Sequence, residues 1–164
     1  MKKLTEVITR ILSIILIILM AVMVLDVTWQ VFTRFILKDP SGFTEELAGF
    51  LLIWIGLLGA SYAYYTKAHL GIDVLTTKLK GINKLISEIA VSVIVFLFAL
   101  FNLVIGGLRL VDITTTLKQI SPSMGIPMGY IYWVLPISGI LFMYYAVVFM
   151  IDSFKENKKK GRVF

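Results

Sequence analysis

The chain has 164 residues, of which 59% are hydrophobic and 16% charged, with a mean hydropathy of +0.91. That is too little polar surface to cover a water-soluble domain, so lipid is the solvent for most of it. With no cysteine and one histidine, His69, thiol chemistry, disulfides and an ordinary zinc site are excluded, and no cofactor or metal is expected. The net charge of +6 does not point to nucleic acid, because the lysines stand at the ends of apolar runs and form no basic face with interleaved aromatics.

A hydrocarbon core about 30 Å thick takes roughly 20 apolar residues per helix, which allows four spans with short connections. The first predicted span is 11–35. Its run ILSIILIILMAVMVL is long and no small-residue cleavage pattern follows, so it reads as an uncleaved helix and not as a signal peptide. The breakers Lys38 to Gly42 lead to a second span at 44–66, with Ser41 or Thr44 as candidate caps. From Lys67 to Lys84 the chain is too polar to cross. Ile72, Leu75, Leu79 and Ile82 recur there at three- and four-residue spacing against Lys78 and Lys80, which predicts a short amphipathic helix on the membrane surface. The third span, 85–110, is expected to extend to about 118, beyond the bilayer. After the loop SPSMGIPMG, the fourth covers 130–153, with Pro136 a candidate kink. The fold class is thus all-α integral membrane, one four-helix domain over 1–154 followed by a basic, disordered tail at 155–164.

Twelve of the sixteen Lys and Arg lie on the side of the two ends and the middle connection, and Arg34, Lys38, Arg109 and Lys118 lie on the other. Retained positive charge marks the cytoplasm, so both termini are expected to face inward. Trp29, Phe32, Tyr130, Tyr132 and Trp133 read as an outer aromatic belt, and Tyr62, Tyr64 and Tyr65 as an inner one.

Counting about 1.5 Å per residue from each inner boundary sorts the polar residues by depth. Arg34, Glu45, Glu46 and Arg109 share one outer layer; Asp26 and Asn102 share a deeper level, where a carboxyl and an amide are expected to pair. For Glu45 and Glu46 two readings stay open: carboxylates at the positive end of a helix dipole, or a brace to Arg34, Arg109 or another subunit. Asp26 has no chain of titratable neighbours, which favours a structural hydrogen bond over a proton relay. Trp54, near mid-bilayer, is expected to pack on protein, where its indole N–H finds a partner. Gly49, Gly56, Ala60 and Ala63 form a small-residue stripe on the same helix. Phosphate loops, HExxH, nucleophile elbows and haem-ligating pairs are absent from the sequence, so no enzyme is expected.

The stretch from Trp29 to Asp73 contains WQVFTRF and FTEELAGFLLIWIGLLGASYAYYTKAHLGIDVL; with SPSMGIPMGYIYWVLPISG it resembles the small, DctQ-type membrane subunit of the tripartite ATP-independent periplasmic (TRAP) transporters. The elements carrying the resemblance are Glu45 and Glu46, Trp54, Gly59-Ala60, and His69 to Asp73. It implies a small permease subunit in the bacterial inner membrane. Such a subunit scaffolds a large elevator-type membrane subunit and helps dock a periplasmic substrate-binding protein during sodium-driven uptake of an organic acid of the sialic acid or C4-dicarboxylate type. An accessory or assembly subunit of an unrelated membrane complex is the alternative.

Overall fold

The structure is a computed structural model that describes residues 2–39, 41–66 and 82–160. The surface helix expected at Ile72 to Ile82 falls outside them, apart from Ile82, which opens the third long helix. A long run rich in Ile, Leu and Met drives α1 (Lys2–Phe32), which widens into a π-helical turn at Thr33–Leu37 and stops at Lys38 in the left-handed conformation, φ 56°. Then follow α2 (Gly42–Tyr65), α3 (Ile82–Thr116, with a π-helical stretch at Ala99–Ile105), the short α4 (Met128–Tyr132) and α5 (Val134–Lys160). Four helices, Lys3–Leu37, Gly42–Tyr65, Ile82–Thr116 and Met128–Lys155, are long and apolar enough to cross a membrane. At 35 residues α3 is about 52 Å long, well beyond a 30 Å hydrocarbon core.

The helices form an open row. α1 packs on α2, α2 on α5, and α5 on α3. Along α1 and its π-helical end, Thr5, Leu12, Leu19, Asp26 and Thr33 turn inward at seven-residue spacing, with Ile8 and Leu16 beside them; α2 answers with Thr44, Leu51, Leu58 and Tyr65. A seven-residue column stays on one side of a helix only when two helices wind around each other in a left-handed sense.

α5 is the central element. Toward α3 it approaches so closely that a Cβ at Gly139 would lie 2.8 Å from both Leu103 Cβ and Val104 Cγ2, and one at Gly107 would lie 2.8 Å from Leu135 Cβ. The contact residues Ala99, Leu103 and Gly107 are spaced by four. In a regular α-helix that spacing drifts around the axis, and the wider π-helical turn at Ala99–Ile105 keeps them facing α5. Toward α2, Tyr64 packs on Phe142 and Phe149 with ring centres 5.7 and 5.3 Å away, and Tyr65 stacks on Tyr145 at 4.9 Å. Thr5 and Thr9 of α1 reach the same cluster, with hydroxyl contacts of 2.9 Å to Tyr144 and 3.2 Å to Tyr145. Tyr64, expected in an inner belt, is buried and Tyr62 and Tyr65 are half-buried: the three serve the core.

Two further expectations, the caps of α2 and the tail, need correction. Neither Ser41 nor Thr44 caps α2 with its side chain; Ser41 is the cap residue, but the Thr44 hydroxyl donates back to the Ser41 carbonyl at 2.9 Å. The fourth span breaks at Trp133, ahead of Pro136, since Pro136 lacks the N–H that the Tyr132 carbonyl would accept and its ring crowds that carbonyl. The tail expected to be disordered from Lys155 continues α5 through Lys160.

Gly139→Val should destabilise the protein by about 1–3 kcal/mol, because the added atoms must displace the Leu103–Val104 turn. Gly49→Ala, where a Cβ meets nothing within 4 Å, should be nearly neutral. Thermal unfolding in detergent compares the two, and equal effects would contradict the close approach.

Candidate functional site

A carboxylate-centred hydrogen-bond network lies at the end of the bundle carrying the α1–α2 connection and the segment 117–127, called the loop end. Here the Ser-Pro-Ser-Met-Gly segment cannot continue a helix and turns back on itself. Ser121 N–H donates to the Ile126 carbonyl and Met128 N–H to the Gln119 carbonyl, both at 2.9 Å, around Gly125 at φ 67°. Only glycine adopts that angle without strain.

Glu46, in the first turns of α2, points its carboxylate into this loop. One oxygen, Oε2, accepts the Ser121 hydroxyl and the backbone N–H groups of Ser123 at 3.1 Å and Met124 at 3.2 Å. Met124 N–H is shared with Ser121 Oγ at 3.2 Å. The backbone also comes close: a Cβ on Gly42 would lie 3.0 Å from Ser123 Oγ. A carboxylate taking three donors is a strong tie between the start of α2 and the approach to α4. Of the open readings for Glu46, a brace to Arg34 or Arg109 does not form: its partners are hydroxyl and backbone donors, and among the described residues the one ion pair is Lys84–Glu88 at 3.7 Å. Ser121, Ser123 and Met124 belong to the SPSMGIPMG loop, expected with the outer-layer residues at a docking surface but with no individual contact named. The signal was the Ser121 hydroxyl in a Pro/Gly loop, but its acceptor lies 75 residues away in sequence.

Arg34, Glu45 and Arg109 are exposed at or near the same end. Deeper, Asp26 and Asn102 do not pair. Asn102 lies exposed in the π-helical part of α3 and donates to its own helix at Phe98, 3.3 Å away. Asp26 lies in the seven-residue column of α1, 8% exposed, and its Oδ2 has no hydrogen-bond partner among the described residues. The two share a depth but lie on helices separated in the row by α2 and α5. The Trp54 indole N–H donates to the Ile131 carbonyl at 3.1 Å, beside the break that Pro136 creates.

Glu46→Ala should raise amide exchange of Ser123 and Met124 by about tenfold or more, since bonds to a charged acceptor contribute roughly 1.5–3 kcal/mol. Unchanged exchange there would dismiss the tie. Trp54→Phe, which keeps the aromatic bulk and removes the donor, should cost about 1 kcal/mol in detergent unfolding.

A family model described as the DctQ component of tripartite ATP-independent periplasmic transporters matches residues 23–156. The chain is 30% identical over 146 residues to the sialic acid TRAP transporter small permease protein SiaQ of Vibrio cholerae, covering 88% of this chain and 82% of that one. It is 29% identical over 133 residues to the sialic acid TRAP transporter permease protein SiaT of Haemophilus influenzae, covering 79% of this chain but 20% of that longer one. Against the isethionate TRAP transporter permease protein DctMQ of Oleidesulfovibrio alaskensis it is 33% identical over 95 residues, 58% of this chain and 15% of that one. With four helices able to span a membrane and a family match over most of its length, the chain belongs to the DctQ family of TRAP small permease subunits, which are multi-pass bacterial inner-membrane transporter components and not enzymes.

Proposed function

We propose that this subunit is the stationary scaffold of a sodium-driven importer of an organic acid, with both termini cytoplasmic and the loop end offered to a periplasmic substrate-binding protein. The observation that carries the reading is the Glu46 tie. It fixes the 121–124 loop onto the start of α2 through three donors and so makes a rigid outer platform, flanked by the exposed charges of Arg34, Glu45 and Arg109. Rigidity at a docking surface lowers the ordering cost of binding.

The open row of helices supports a scaffold role, since α1 and α3 at its edges leave broad apolar faces for a neighbour or lipid. The excess of Lys and Arg on the side of the termini supports the orientation. For the substrate, sialic acid is the first candidate because two relatives carry that name, and C4-dicarboxylates are the second.

Reconstitution with the large subunit and the binding protein tests this. Sialic acid uptake should require sodium and fall when the 121–124 loop is released by Glu46→Ala, while the two membrane subunits still co-purify. Full uptake by that variant would overturn the platform; undiminished uptake with potassium replacing sodium would overturn the coupling.

A further inference from the structure

The charge-free run of α3 extends from Ile89 to Leu108, and Asn102 lies six residues inside it, about 9 Å along the axis from its loop-end limit. Its neighbours on the outward stripe of the helix are Ile94, Phe98, Phe101 and Ile105, which are 65, 57, 59 and 50% exposed. An amide has two donor hydrogens and an accepting carbonyl. Asn102 uses one donor, in a long 3.3 Å bond to Phe98, and the rest of its amide faces a medium in which lipid tails supply no partner.

Among the described residues no other helix exposes an amide side chain inside its apolar run. There the exposed face of α1 carries Thr28, whose hydroxyl is satisfied by the Val24 carbonyl at 2.6 Å, and Trp29, whose amphipathic ring suits the membrane interface near the loop end. That of α2 carries Gly49, Leu52, Ile53 and Gly56, and that of α5 carries Ile137, Ile140 and Val147. Toward the loop end, the stripe on α3 continues into Arg109 and Asp112, both exposed and in no ion pair among the described residues. A hydrogen-bonding group inside the membrane and two charges where the helix leaves it make one polar line along an otherwise apolar face.

We infer that this stripe of α3 is the surface on which the large permease subunit packs, with a polar side chain of that subunit bonded to the Asn102 amide within the membrane. The inference rests on the scaffold reading above and adds the helix and the contact. A membrane-embedded neighbour is the occupant because the sequence recurs inside longer permeases of which it makes up a fifth or less. Polar side chains are the groups that join helices where no hydrophobic driving force exists between them.

In cells producing the complete transporter, photo-crosslinking side chains at Ile94 and Ile105 should join this chain to the large subunit, whereas those at Ile14 and Ile18 on the outer face of α1 should not. Asn102→Leu should reduce the large subunit retained on detergent dilution by about threefold, the size of a typical hydrogen bond between membrane helices. Crosslinks from α1 alone, or from α3 to a second copy of this chain, would overturn the inference while co-purification of the subunits leaves the scaffold reading standing. If the unmodified subunits do not co-purify at all, the scaffold reading itself fails.

Discussion

Where Gly139 of α5 lies against the Leu103–Val104 turn of α3, two backbones approach more closely than any side chain would allow, and the architecture is organised around that contact. Between helices in lipid there is little hydrophobic force, so association depends on close packing and on a few polar contacts. Gly139 of α5 and Gly107 of α3 provide the packing, and the π-helical stretch of α3 keeps its small and branched residues aimed at α5. With one flank of α5 committed to α3, its other flank is free for α2. There the aromatic cluster of Tyr64, Tyr65, Phe142, Tyr145 and Phe149 fills the space, and Trp54 bonds to the carbonyl beside the Pro136 break. α1 is then added through α2, by matched seven-residue columns.

The two ends of the bundle are secured by different chemistry. At the end holding the termini, phenol and threonine hydroxyls tie α1 to α5, and the Ser153 hydroxyl donates to the Glu88 carboxylate at 2.8 Å to join α5 to α3. At the loop end one carboxylate gathers three donors from a loop. The first arrangement joins helices to one another. The second shapes irregular backbone into a defined surface, which is what a partner outside the membrane can recognise.

Much of the site was legible as a set of depths and little of it as a set of contacts. The rise per residue of a helix is fixed, so counting placed Glu46 at the level of the outer loop and Asp26 at the level of Asn102. Counting says nothing about direction around the axis or about which helix stands next to which. Asp26 belongs to the column that faces α2, and Asn102 to the far side of α3, so equal depth brought no contact. For Glu46 a brace to an arginine was one of the readings left open by the sequence. The loop offered several donors already held in place by its own turn, and these satisfied one oxygen without confining a long side chain.

By itself the sequence determined that this protein is four long apolar helices with breakers between them, because backbone polar groups in lipid must be satisfied within each helix and composition alone reports that requirement. The resemblance carried by its motifs also pointed to the family. Only the tertiary structure decided the order of the helices in an open row, the burial of Asp26 and the exposure of Asn102, and the capture of Glu46 by a distant loop. Those outcomes depend on where glycines let backbones touch and on how a wide turn rotates one face of α3, and the packing of helices against each other sets both.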